Sequence, residues 1–157
     1  MGLLGKKGQK DLKSTVQLVE GLIRELGLEP DDNRLQTQEA GHAWGLMKGS
    51  AEVFIFIISS PGSEEPHSIQ VVSPVLRLPQ SQPNQLALFR RMLELNAELL
   101  SGASFGIKGD TAVIISDRST KDLNASEVRD MILRVGHFAD MYDDELVVQY
   151  GGKRHSD

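Results

Sequence analysis

The sequence contains no cysteine, which excludes disulfide scaffolds, zinc ribbons, iron–sulfur clusters and thiol nucleophiles. It has only four histidines, scattered along the chain without the spacing of a metal site, so we expect no metal and no cofactor. Lysine and arginine total 17 against 22 aspartate and glutamate residues, a net charge of -5. This acidic balance argues against nucleic acid or an anionic membrane surface as a partner.

Long hydrophobic runs are also missing. The longest, Val53–Ile58, is far too short to cross a bilayer, and the N-terminal residues lack a secretory hydrophobic region. We therefore expect a cytoplasmic protein. With 157 residues, 39% of them hydrophobic and 25% charged, the chain is expected to form a single domain over 1–157. Its ordered core should run from about 9 to 151, between flexible tails.

Three amphipathic helices are predicted. The first spans about 9–26, because apolar side chains recur there every three or four residues: Leu12, Val16, Val19, Ile23 and Leu26. The last helix begins after Asn124, a good N-cap, and Glu127 is placed three positions on to complete a capping box. This helix is expected to end before Gly151 and Gly152.

The second predicted helix, about 84–100, is apolar over an unusually wide arc. One row of side chains consists of Leu88, Met92, Leu95 and Leu99, and a second row of Leu86, Phe89, Leu93 and Leu100. A helix with two apolar rows is expected to have two packing partners. A second copy of the chain is the simplest one, and overlap of the chain's own helices is the alternative. For the dimer we assign the contact to Leu88, Met92 and Leu95.

The remaining segments have the pattern of strands. Residues 34–48 are expected to form one or two irregular strands, followed by a turn at 48–50, a strand over 52–60 and a polar loop over 61–66. Pro74 should place the strand over 67–78 at a sheet edge or in a bulge. Gly109 and Asp110 predict a hairpin between 104–108 and 112–116. The order α-β-β-β-α-β-β-α predicts an α+β fold with an antiparallel sheet.

The strand over 52–60 is apolar on both faces, because side chains alternate between the two faces of a strand. One face carries Val53, Ile55 and Ile57, and the other carries Phe54, Phe56 and Ile58. A sheet face beyond the one covered by the chain's own helices needs another cover. We therefore expect Phe54, Phe56 and the single tryptophan, Trp44, to form a surface that binds a protein partner.

Two short motifs leave other function classes open. Residues 102–106 match G-x-S-x-G, which would make Ser104 the nucleophile of a serine hydrolase, but a predicted helix precedes it and a strand follows, the reverse of the hydrolase order. Residues 106–109 match the GxxG loop of RNA-binding KH domains, which would suit a nucleic-acid-binding regulator, but they fall in a predicted strand and its turn. Neither motif has the secondary structure that its chemistry needs.

Polar residues on two of the predicted helices have either a functional or a structural interpretation. Asp140, Asp143 and Asp144 share one face of the last helix, where they could hold a hard cation, attract a basic partner or simply remain solvated. Asn96 lies inside an apolar helix stretch and must find hydrogen-bond partners there, for example on a strand.

Several segments together resemble the YbjN-domain family of bacterial sensory-transduction regulators, which is related in fold to type III secretion chaperones. The likeness covers about residues 12–151 and is carried by the sequences 93–100, 103–110, 113–116 and 139–142. It implies a small, acidic, chaperone-like α+β protein that is non-enzymatic and dimeric. Secretion chaperones bind extended segments of client proteins along apolar surfaces, so the resemblance implies a protein partner for this chain. It supplies no catalytic residues.

Overall fold

The computed structural model describes residues 2–37, 41–59, 67–98 and 100–157, with side chains from Leu12 onward. The predicted polar loop over 61–66 and Leu99 of the second helix lie outside these residues. The elements in chain order are α1 (Gly2–Glu25), β1 (Arg34–Leu35), β2 (Gly41–Lys48), β3 (Ala51–Ile58), β4 (Ser68–Arg77), α2 (Gln82–Glu98), β5 (Ser104–Lys108), β6 (Thr111–Ser119), α3 (Ala125–Tyr150) and β7 (Lys153–Arg154).

Within the described residues the strands form one seven-stranded sheet in the order β1-β2-β3-β4-β6-β5, and β7 pairs with β4. The pairs β1–β2, β4–β7 and β5–β6 are antiparallel. The predicted α+β class with three helices and an antiparallel sheet is confirmed. The segment 34–48, expected to form one or two strands, forms two, β1 and β2, and the structure adds the two-residue strand β7 in the predicted C-terminal tail. Residues 2–8, expected in a flexible tail, belong to α1.

β4 lies between β3 and β6, so the expectation that its proline marks a sheet edge is wrong. Proline has no N–H to donate to a neighbouring strand. At this point the hydroxyl of Ser73, a side chain with 0% exposure, donates to the backbone carbonyl of Glu52 on β3 at 2.6 Å. The serine next to Pro74 thus supplies a hydrogen bond within the sheet, and β4 tolerates the proline in a central position.

The contacts divide the chain into two compact units, each with its own core. The first unit consists of Met1–Leu46, Phe54–Gln70 and Asp117–Asp130, and its buried side chains include Val19, Leu22, Ile23, Trp44, Ile55, Ile57 and Ile69. The second consists of Met47–Val53, Val71–Ser116 and Met131–Asp157, with a core that includes Val75, Leu76, Leu88, Leu95, Ile114, Val135 and Leu146.

α3 begins as its sequence predicts. The side-chain oxygen of Asn124 accepts a hydrogen bond from the backbone N–H of Glu127 at 3.1 Å, and the Glu127 carboxylate accepts one from the backbone N–H of Asn124 at 3.0 Å. This reciprocal pair is a capping box, which satisfies donors that the first turn of a helix leaves free. The helix ends at Tyr150, before two glycines with positive φ, Gly151 at 81° and Gly152 at 88°.

Candidate functional site

β3 separates buried from accessible apolar side chains within the first unit. Ile55 and Ile57 are 0% and 1% exposed, as expected for the face that packs into the core. The alternate residues, Phe54 and Phe56, are only half-buried, and Ile58 is 41% exposed. Side chains of a strand alternate between the two faces of its sheet. The face opposite the core therefore carries accessible aromatic and aliphatic side chains.

The two phenylalanines lie side by side, with ring centroids 6.3 Å apart and planes tilted by 35°. Gly45 on β2 lies against Phe54: a Cβ placed on it would be 3.4 Å from Cε1 of Phe54 and 3.6 Å from Cδ1 of Leu35. Leu35, on β1, is 39% exposed. We call the surface formed by Leu35, Gly45, Phe54, Phe56 and Ile58 the Phe54 face.

Trp44 does not lie on the Phe54 face. It is adjacent to Gly45 in β2, so its side chain points to the opposite side of the sheet, and it is 0% exposed. Its ring stacks with His42, with centroids 6.2 Å apart, and the guanidinium carbon of Arg34 lies 5.2 Å from its centroid. A buried indole has no surface to offer a partner while these neighbours stay in place, so its position does not support the predicted binding role.

Arg34, which lies over Trp44, also interacts with two neighbouring polar side chains. Arg34 Nη1 donates to Glu20 Oε1 on α1 at 3.1 Å, and Arg34 Nη2 donates to Nδ1 of His42. Burial and then the nearby Arg34 cation lower the pKa of His42 below its ordinary value of 6.5, against the opposing effect of Glu20. His42 is therefore neutral near pH 7, with Nδ1 free of a proton and able to accept the hydrogen bond.

On α2 the structure places the predicted dimer residues inside the chain. Leu88, Met92 and Leu95 are 0%, 4% and 0% exposed in the single subunit. Leu86 and Leu93, from the other apolar row, are 72% and 69% exposed. A contact between two copies needs a surface that the chain itself leaves open, so the burial of the first row argues against the predicted contact and favours the second row.

The position of Ser104 does not support the hydrolase interpretation. It is the first residue of β5, and the preceding turn contains Gly102, whose carbonyl accepts a hydrogen bond from Ser116 at 2.7 Å. Helix α2 precedes this turn, whereas a nucleophile elbow joins a strand to a following helix. The G-x-S-x-G segment is therefore a connection from a helix to a strand.

Two of the three aspartates that share a face of α3 have partners elsewhere in the chain. Asp140 accepts a hydrogen bond from Ser50, and Asp144 forms an ion pair with Arg154 at 2.8 Å. Burial raises the pKa of Asp143, and the neighbouring carboxylates of Asp144 and Asp140 raise it further. Within the described ranges, no three His, Cys, Asp or Glu side chains are placed to hold a metal ion together.

A cleft of about 230 Å³ lies in the second unit, beside Asp143. His155 at its rim lies 3.5 Å from Glu52. The cleft is lined by Met47, Ser50, Ala51, Glu52, Pro74, Val75, Ala139, Asp143, His155 and Ser156. Its lining mixes polar and apolar groups without the convergent donors of a built ligand site. The Phe54 face is thus the stronger candidate for function.

Comparison with known proteins identifies the family. A family model described as T3SS (YopN, CesT) and YbjN peptide-binding chaperone 1 matches residues 13–157. The chain belongs to this family, TY-Chap1. The match confirms the resemblance seen in the sequence and covers nearly the whole chain, including both compact units. Comparison with curated proteins gives no match.

Solved structures similar to this TY-Chap1 member support the same fold. A chain of the HopA1–SchA chaperone–effector complex matches with a TM-score of 0.57 at 11% identity, covering 87% of this chain and 97% of that one. A chain of the ExsC–ExsE complex gives 0.56 at 14% identity, covering 93% and 97%. A chain of the heterodimeric ExoU–SpcU complex from the type III secretion system of Pseudomonas aeruginosa gives 0.54 at 10% identity, covering 80% and 95%.

At these identities the likeness concerns the fold alone. Among the helices that the structure describes, none combines the length and the apolarity needed to cross a bilayer.

Proposed function

We propose that this TY-Chap1 protein is a non-enzymatic chaperone-like module of the cytoplasm, that its residues 1–157 act as a single domain, and that it binds an extended segment of a partner protein on the Phe54 face. The observation that carries this proposal is the half-buried pair Phe54 and Phe56, on the side of β3 opposite the core and next to the exposed Ile58. The family description as peptide-binding chaperones and the neighbours in chaperone–effector complexes support a protein as the ligand.

The chemistry of the Phe54 face suits an extended apolar segment. Its side chains are aromatic or aliphatic, and because Gly45 has no side chain, the Phe54 ring and Leu35 pack over the backbone of β2 there. A peptide in extended conformation presents every second side chain to one side, so alternate apolar residues could pack on the two rings. Burying one such side chain stabilises the complex by about 1.5–3 kcal/mol.

The binding test uses selection from a display library of random 15-residue peptides on the wild-type protein. We expect enrichment of peptides with alternating apolar residues, and weaker binding by at least about tenfold, or about 1.4 kcal/mol, in the double variant Phe54→Asn, Phe56→Asn. Val148→Asn is the matched control, since Val148 is 85% exposed on α3. Selected peptides that bind the double variant as tightly as the wild type would contradict the proposal.

We further propose that the protein is a homodimer whose contact involves Leu86 and Leu93 on α2. These two leucines are seven residues apart, which places them on one stripe of the helix, and both are about 70% exposed. Phe89 lies between them and is half-buried. A twofold contact uses the same surface of both copies. The total area that it removes from water is therefore twice the area of one such stripe.

A further inference from the structure

β1 consists of only two residues, Arg34 and Leu35, which pair with β2. In the antiparallel register Arg34 lies opposite Trp44 and Leu35 opposite Ala43. The backbone N–H of Gly45 donates to the carbonyl of Asn33 at 2.9 Å. A pairing this short adds little stability by itself, so the two side chains of β1 must contribute much of what keeps it in place.

The two side chains of β1 point to opposite sides of the sheet. On the side of α1, the guanidinium of Arg34 lies over the Trp44 ring and bonds to Glu20 and His42. On the other side, Leu35 packs at Gly45 beside Phe54. Any movement of β1 away from β2 would therefore uncover Trp44 on one side of the sheet and the contact between Gly45 and Phe54 on the other.

The contact between Arg34 and His42 depends on the charge of the imidazole. Neutral His42 accepts a hydrogen bond at Nδ1, but a protonated ring carries a hydrogen there and repels the guanidinium. Among the described residues, the charged groups facing His42 are Arg34 on β1 and Glu20 on α1. Glu20 attracts both Arg34 and the protonated His42, so it offsets only part of the repulsion between them.

We propose that β1 is an acid-released flap, in which protonation of His42 detaches Arg34 from Trp44 and lifts Leu35 from Gly45 and Phe54. With β1 paired, the pKa of His42 lies below 6.5, and with β1 released it returns toward that value. The released form therefore binds protons more readily, and closure weakens as the pH falls below 6.5. The flap rests on the contacts among Arg34, His42 and Trp44, whereas its effect on peptide binding rests on the proposed function.

The test is made on the full chain without peptide, at pH 7.5 and pH 5.0. Amide exchange of Gly45, followed by NMR as a protection factor, reports on the β1–β2 hydrogen bond. We expect its protection to fall severalfold at pH 5.0. Trp44 is the single tryptophan, so its emission maximum should shift to the red and acrylamide should quench it more strongly. Emission intensity is not used, because a protonated imidazole quenches indole directly.

His42→Gln separates the titration from the contact. Its amide oxygen can still accept from Arg34 but does not titrate, so we expect Gly45 to be protected equally at both pH values. His137→Gln, at an exposed position on α3, is the matched control and should keep the wild-type response. Arg34→Gln removes the cation from Trp44 and should leave the flap open at both pH values.

Two results would overturn the flap: Gly45 protection in the wild type that does not change with pH, or a pH response that His42→Gln retains. Neither result bears on whether peptides bind through Phe54 and Phe56, which the display experiment measures at pH 7.5. The two proposals can therefore fail separately.

Discussion

Asn96 on α2 makes both hydrogen bonds that the backbone of Phe105 on β5 can offer outward. Its Oδ1 accepts from the Phe105 N–H at 2.7 Å, and its Nδ2 donates to the Phe105 carbonyl at 3.3 Å. β5 is the last strand in the sheet order, so these backbone groups have no neighbouring strand on that side within the described residues. The amide takes the place of a strand and joins α2 to the sheet edge.

We expect Asn96→Ala to lower the free energy of unfolding by about 1–3 kcal/mol, because it leaves the part-buried backbone groups of Phe105 without partners. Asn96→Asp keeps the acceptor but sets a carboxylate oxygen against the Phe105 carbonyl in place of the donor, so we expect it to be less stable than the wild type as well. Urea unfolding followed by circular dichroism gives the measurement, with Gln17→Ala at an exposed position of α1 as the control. Equal stability of Asn96→Ala and the control would disprove the role of this amide.

Ser73 is expected to matter more than its size suggests. Ser73→Ala removes the hydroxyl that bonds to the Glu52 carbonyl beside Pro74, and we predict a loss of about 1–3 kcal/mol in unfolding free energy. Ser14→Ala, exposed on α1, should change stability by less than about 0.5 kcal/mol. Both variants can be compared by urea unfolding. A Ser73→Ala protein as stable as Ser14→Ala would show that the central proline needs no such support.

The capping box of α3 predicts a pH dependence of stability. The hydrogen bond from the Asn124 backbone, followed by the interaction with Arg118, lowers the pKa of Glu127 below its ordinary value of 4.5. A carboxylate whose folded pKa is lowered stabilises the fold above its ordinary pKa, and that contribution is lost as the pH falls through the folded value. Glu127→Gln should therefore unfold at a lower temperature than the wild type at pH 7.

The difference in melting temperature between Glu127→Gln and the wild type should shrink as the pH falls below 4.5, since the wild-type side chain then becomes neutral as well. Thermal unfolding between pH 3 and pH 7 measures this convergence. Glu98→Gln, exposed at the end of α2, provides the comparison at each pH. A difference that stays constant down to pH 3 would show that the charge of Glu127 contributes nothing.

Leu93→Glu tests the dimer contact proposed on α2. Glutamate and leucine have similar helix propensities, and the site is 69% exposed, so the subunit should remain folded. A buried carboxylate in the contact would be costly, so light scattering after gel filtration should give the mass of a monomer, about half that of the wild type. Val148→Glu should leave the wild-type mass unchanged. A wild-type protein with the 17.3 kDa mass of one chain would refute the dimer.

The ends of the helices and the cap of α3 could be predicted well, because they depend on residues a few positions apart, whereas α1 begins at Gly2 and not at about residue 9. Asn124 and Glu127 form the expected capping box, and the hairpin turn at Gly109 lies where the strands 104–108 and 111–119 meet. The alternation of β3 was visible as well, and it correctly drew attention to Phe54 and Phe56 as the second face of that strand.

Other outcomes could not be predicted from local pattern. The two apolar rows of α2 are equivalent in the sequence, and only packing against the rest of the chain buries Leu88 and leaves Leu93 exposed. Tryptophan is a residue type that often anchors binding, but Trp44 lies under the guanidinium of Arg34. Leu35, a member of the Phe54 face, was missed because a two-residue strand leaves no periodicity to detect.

The sequence by itself determined the helices and most of the strands, their caps and turns, and the surplus of apolar side chains on β3 and α2. These features arise from interactions between residues close together in the chain. The tertiary structure decided which side of each element faces the core, where β1 and β7 pair, and that Arg34, His42 and Trp44 meet. Those outcomes depend on partners far apart in sequence, whose contacts exist only once the sheet has formed.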